Sequence, residues 1–295
     1  MKLFCFICYF FSLTVAAFSQ SDTTDNAFLV CGDHQVLLVD YRVSRDSVPH
    51  IIWSWDAHTS KDLPTDFRLK KFNSIDDCKA IKGGEEILVS SSSGAVAVVR
   101  RRDQKVLFYA NVPNAHSVEA LPGDLLATAA STAPDGNKIM IFNVRTQQHP
   151  LFTDSLYSAH GVVWHEKRNS LFALGYDVLR EYKIVGNGLN MIDQWKIPGI
   201  GGHDLQMTPD GEGFFITEHN GAWLFDIQKK TFKKIGGFPD AHNIKSLGQN
   251  KAGQIIYTVP EESWWTYHVS FFGPERKFVF PDMKVYKARW FRPSL

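Results

Sequence analysis

Cysteine is scarce in this chain of 295 residues, and net charge is nearly absent. Only four cysteines occur, and two of them, Cys5 and Cys8, fall in the first ten residues. The remaining pair, Cys31 and Cys78, is too few for a disulfide framework, which excludes the small stapled folds. They read as a strand-core position and a channel position, and a single bridge between them stays open in an oxidising compartment. Lys and Arg number 32 against 31 Asp and Glu, a net charge of +1, so no global field points to nucleic acid or to an anionic membrane. No segment sustains a helical period. There is no phosphate-cradling glycine loop, no nucleophile elbow and no CxxC pair.

The chain is instead rich in aromatic and apolar residues. Aromatics make up 13% and hydrophobic residues 44%, with 22 Phe and eight Trp, a balance that leans towards an all-β protein with a substantial core. At the N-terminus Lys2 precedes the apolar run Leu3 to Ala17, and Ala17-Phe18-Ser19 supplies small residues at the −3 and −1 positions of a cleavage site. Residues 1–19 therefore read as a signal peptide, 20–26 as a flexible polar tail and 27–295 as one domain. The expected location is secreted or periplasmic, with no membrane span after signal cleavage.

The chain repeats itself in pattern. Five segments superpose on a small-His-x-aliphatic start: Asp77-Cys78-Lys79-Ala80, Ala115-His116-Ser117-Val118, Ala159-His160-Gly161-Val162, Gly202-His203-Asp204-Leu205 and Ala241-His242-Asn243-Ile244. Their spacings are 38, 44, 43 and 39 residues, the length of one four-stranded propeller blade. Each start leads through a polar turn to an apolar strand, such as Leu125-Leu126-Ala127 or Phe214-Phe215-Ile216, and then to two more strands. Phe28-Leu29-Val30-Cys31 matches a second strand rather than a first, and Lys287-Ala288-Arg289-Trp290-Phe291 supplies the missing first strand. The expected fold is all-β: a six-bladed β-propeller closed by the C-terminal strand pairing with the N-terminal strands in one blade, which leaves no free sheet edge.

Gly202 to Ile227, with His203, Thr208-Pro209-Asp210-Gly211 and Leu224-Phe225-Asp226, is similar to one WD40 repeat, although its histidine lies within the strand rather than in the loop before it. In leader, closure and repeated histidine the whole domain resembles uncharacterised secreted propellers of polysaccharide-degrading gut and soil bacteria. It resembles oligogalacturonate lyase-type propellers more loosely, a likeness that implies several histidines around a metal at the top of the channel.

The predicted channel mouth collects Arg289, Cys78, His116, His160, His203 and His242 in a ring, with Asp33, His34, Asp135, Asp177, Glu218 and Glu261 in turns on the same face. His116, His160, His203 and His242 suit a divalent metal (Mn, Zn, Ca or Fe), metal-free ligand binding or proton transfer, or hydrogen bonding between blades; the sequence leaves all three open. Glu218 and Glu261 are the acid–base candidates. Arg289, Trp264, Asp135 and His34 are the substrate-binding candidates, Arg289 as a clamp for a carboxylate and Trp264 as a sugar platform. The insertion from Trp55 to Asn73, with Asp56 and His58, is placed over the mouth. The function expected is a carbohydrate-active propeller, a polysaccharide lyase or glycoside hydrolase acting as a monomer on an oligosaccharide or polysaccharide. The alternative is a propeller that binds a glycan or protein without turnover.

Overall fold

The computed structural model describes residues 26–146 and 148–292. The signal peptide assigned to residues 1–19, and the tail up to residue 25, lie outside the described residues. Among the described residues no helix is long and apolar enough to cross a membrane.

Twenty-four strands form six four-stranded antiparallel sheets among the described residues. Blade 1 combines Ala27–Gly32, Gln35–Arg45 and Val48–Asp56 with the C-terminal strand Val285–Trp290, which pairs Leu29 with Arg289 and Val30 with Ala288. The inner strands of blades 2 to 6 are Ile75–Ile81, Ala115–Leu121, Gly161–His165, Asp204–Met207 and Ser246–Gln249. The sheet order confirms both the blade count and the closure by the C-terminal strand.

Sequence explains why these strands lie where they do. Strands near the axis are packed on both faces and read as unbroken apolar runs; Ala27–Gly32 and Leu125–Ala130 are buried at every position. Outer strands such as Thr231–Lys234 are more polar and mostly exposed. Six apolar clusters fill the six seams between blades. At the closing seam Phe28 packs against Phe271, Phe278 and Trp290 with ring centroids 5.3, 5.8 and 6.4 Å away. Cys31 and Cys78 are both buried in the seam between blades 1 and 2, as free thiols.

The seams are unequal. Twenty buried apolar residues fill the one between blades 1 and 2, and five fill the one between blades 5 and 6: Phe215, Ala222, Ile244, Leu247 and Ile255. Local opening follows the density of buried contacts. Native-state hydrogen exchange is expected to be faster in Ser246–Gln249 and Ile255–Thr258 than in Ile75–Ile81 and Glu86–Ser91. Equal protection of the two pairs would contradict this ranking.

Candidate functional site: the polar ring at the channel mouth

The top of each inner strand places one side chain at the channel mouth. In blades 4, 5 and 6 the backbone register identifies it. His160 donates its amide to Leu174 O (2.9 Å), His203 to Thr217 O (2.8 Å) and Lys245 to Thr258 O (2.9 Å), one rung above the first paired residues. In blades 1, 2 and 3 the same rung is a bulge, with Tyr286 between Val285 and Lys287, Asp76 between Ile75 and Asp77, and His116 between Ala115 and Ser117. A bulge re-aims the extra residue out of the ladder. The ring is therefore Asp76, His116, His160, His203, Lys245 and Tyr286, and its spacings of 40, 44, 43, 42 and 41 residues are more even than those of the sequence alignment.

Three of the six expected positions are corrected. Cys78 lies two residues below the ring and packs into the core between blades 1 and 2, while Asp76 takes its place. His242 lies before the strand, exposed to solvent, and Lys245 occupies the rung. Arg289 lies three residues below Tyr286. It lines a cavity of about 360 Å³ with Lys79, Glu119, Trp164 and Gln206, at the far end of the inner strands from the histidines. Its guanidinium is bonded to Asp77 and Asp204, so it offers no ready clamp at the histidine face.

All six ring residues are less than a tenth exposed. The imidazoles of His116 and His160 meet edge to face at 4.2 Å, and those of His160 and His203 at 5.7 Å. His116 donates from Nδ1 to Asn114 O (3.2 Å), and His160 donates from Nδ1 to Ser158 O (2.9 Å). Because a carbonyl only accepts, each ring carries its proton on Nδ1 and keeps Nε2 as the basic nitrogen. His203 Nε2 lies 3.1 Å from Lys245 Nζ, and its Nδ1 is buried with no hydrogen-bond partner among the described residues.

Burial dominates the electrostatics. It pushes His160 down to about 3, and it holds His116 and His203 well below the usual imidazole range, with neighbouring His160 and Lys245 adding to the effect. These imidazoles are neutral at pH 7. Burial lifts Asp76 to about 7 despite hydrogen bonds from Ser92, and it lowers Lys245 to about 8 with help from Lys287. An acid and a base are thus drawn towards neutrality from opposite sides.

Immediately below the ring lies a buried ionic network. Asp204 Oδ1 accepts from Lys287 Nζ at 3.1 Å and from Arg289 at 2.6 Å, while Oδ2 accepts from the Leu247 amide at 3.1 Å. Asp77 accepts from Arg289 Nε and from Ser117 Oγ (2.8 Å). Two cations of the closing strand therefore hold carboxylates from blades 2 and 5.

The remaining sequence candidates are scattered. Glu218 is buried, with its carboxylate accepting from the Asn220 amide (2.8 Å) and Trp223 Nε1 (3.1 Å). The loop at Gly199 passes so close that a Cβ there would come within 2.2 Å of Glu218 Oε2. Glu261 is bonded to Thr266 Oγ1 (2.5 Å) and His268 Nδ1 (2.7 Å). Asp135 is an exposed turn residue with φ 61°. Trp264 is 54% exposed and lines a rim cavity of about 150 Å³ with Asn73, Lys284 and Tyr286. His34 sits on the same face beside Asp56. Among the described residues, the one group of three His, Cys, Asp or Glu with ligand atoms within 4.8 Å of one another is His34, Asp56 and His58, not the channel histidines.

Fold and site together define a six-bladed β-propeller with a desolvated, titratable ring at one mouth. The chain belongs to the family of unknown function DUF6528, whose family model matches residues 12–293. No curated protein matches it in sequence. A chain in the crystal structure of a mitotic checkpoint complex is similar at 12% identity with a TM-score of 0.57, covering 86% of this chain and 72% of that one. A likeness at that identity concerns the fold alone.

Proposed function

We propose that this protein is an exported carbohydrate-active propeller that takes an acidic glycan at the ring face and cleaves it by β-elimination. The observation that carries the reading is that a carboxyl, Asp76, and an amine, Lys245, are buried on the same six-residue ring, where burial raises the one and lowers the other towards neutrality. Groups that titrate near neutrality in a desolvated site are suited to proton transfer. In this reading the amine of Lys245 removes the proton next to the uronate carboxylate. The electron pair left behind forms the new C=C bond as the C–O bond to the leaving sugar breaks, and the carboxyl of Asp76 protonates the departing oxygen. The basic Nε2 atoms of His116 and His160 accept hydrogen bonds from sugar hydroxyls. Tyr157, 62% exposed, and Trp264 offer aromatic faces on the loops around the mouth.

Lyase chemistry fits better than hydrolysis. Glycoside hydrolysis needs two carboxylates flanking the bond, and the ring carries one, Asp76, with Glu218 and Glu261 outside it and bonded to other partners. Binding without turnover is the second reading. The depth of the ring favours it, because Asp76 is only 1% exposed.

A panel of uronate-containing glycans, read by the ultraviolet absorbance of the unsaturated product, tests the proposal. Lys245→Met and Asp76→Asn are each expected to lower kcat by about 10²–10⁴-fold, the usual worth of a general acid or base. Glycan-induced thermal stabilisation with no product would move the assignment to binding alone. Neither turnover nor stabilisation would remove the carbohydrate reading.

A further inference from the structure

A second polar cluster stands on the rim, outside the ring. His34 lies in the turn between the first two strands of blade 1, Asp56 ends the strand Val48–Asp56, and His58 sits in the helical turn Ala57–Thr59. Strand pairing of Gln35 with Asp56 brings the turn and the strand end together. Asp56 Oδ1 accepts from His34 Nδ1 (2.8 Å) and from the His58 amide (2.8 Å), and Oδ2 accepts from Gln35 Nε2 (3.1 Å). The two imidazoles stack face to face, with centroids 3.8 Å apart and planes 12° apart. His58 Nε2 lies 2.7 Å from Asn73 Oδ1. All three residues are partly open to solvent.

We propose that His34, Asp56 and His58 form a binding site for a divalent transition-metal ion of the zinc class. The donor set carries the choice of metal. Two imidazole nitrogens with one carboxylate oxygen suit zinc and its neighbours, whereas calcium and magnesium require oxygen shells. Spacing agrees. Tetrahedral bonds of about 2.0–2.1 Å set ligand atoms roughly 3.3 Å apart, and these three groups already lie within 4.8 Å of one another. Closing that gap requires the two imidazoles to turn out of their parallel stack, so that both nitrogens face one ion.

The tautomer of His58 agrees as well. With its oxygen facing the ring, Asn73 holds the proton on His58 Nε2 and leaves Nδ1 basic, the orienting contact that metal-bound histidines usually have. Binding through His34 Nδ1 then replaces the His34–Asp56 hydrogen bond, with the ring proton passing to Nε2. Three protein ligands leave a fourth position open, and the partial exposure of the cluster keeps that position within reach of water or of a ligand oxygen.

The test is titration of chelator-treated protein with zinc chloride by calorimetry, with cobalt(II) absorption as a report on tetrahedral geometry. One saturable site per chain is expected. His34→Gln and His58→Gln should each weaken it at least tenfold with the circular dichroism unchanged, while His160→Gln leaves it intact. Zinc should also raise the thermal midpoint of the wild type and not of the double variant. Absence of saturable binding, or wild-type affinity in the double variant, would overturn the site. Equal competition by magnesium or calcium would overturn the class of metal.

Discussion

Asp204→Ala is expected to lower the stability of the protein by about 3–5 kcal/mol, because it strips a fully buried ionic network of one member. Asp204 is 1% exposed and receives hydrogen bonds from Lys287, Arg289 and the Leu247 amide. Without it Lys287, which is 0% exposed, loses its carboxylate partner at 3.1 Å, and Arg289 keeps only Asp77. The cost arises from cations stranded away from water more than from the attraction that is lost. Solvent-exposed pairs such as Lys70 with Asp66 make the internal control, since each contributes about 0–1 kcal/mol. Urea denaturation of Asp204→Ala and Asp66→Ala in parallel measures the contrast. A loss under about 1 kcal/mol for Asp204→Ala would mean that water reaches the network and that the channel is wetter than its burial implies.

Stability is also expected to fall as pH drops below about 6.5. His116, His160 and His203 titrate near 6.5 in an unfolded chain, yet in the fold burial holds all three lower, His160 at about 3. Below pH 6.5 the unfolded chain binds protons that the fold refuses, so acid favours unfolding. Asp76 opposes this. Its folded value of about 7 exceeds the unfolded value, so the stability it contributes is full below about 4 and is lost as pH rises through 7. Near pH 5 three imidazoles outweigh one carboxyl, and the net slope is on the order of 1–3 kcal/mol per pH unit. Urea midpoints at pH 7 and pH 5 measure it. His160→Gln should flatten the acid limb, and Asp76→Asn should steepen it, because the opposing carboxyl is gone. An acid limb unchanged by His160→Gln would show that this histidine stays solvated.

The overall architecture was legible in the sequence because propeller closure leaves a phase mark: the chain opens on a second strand and ends on a first. His116, His160 and His203 were legible because three blades repeat one residue at one rung. The other three ring members were hidden by chemical likeness. Aligning Cys78 and His242 with the histidines gave spacings of 38 and 39 beside 44 and 43, and the two short values marked the slip. Bulges at Asp76 and Tyr286 shift the phase by one residue, and a bulge has no sequence signature here. The commitment of Glu218 to Trp223 and of Arg289 to Asp77 and Asp204 arises from packing between segments distant in sequence, which no local pattern announces.

The closing strand has a consequence for synthesis. Asp77 and Asp204 leave the ribosome long before Lys287 and Arg289, so during elongation Asp77 has only Lys79, 4.0 Å away in the fold, and Asp204 lacks both of its cations. Five blades can assemble as they emerge, but the ring stays open, with Ala27–Gly32 presenting a bare edge, until Val285–Trp290 has been made. Synthesis of Val285–Trp290 is thus the event that brings Lys287 and Arg289 to the centre. A ribosome stalled a few residues short of Val285 would hold an unclosed arc, with its acidic axis still in water.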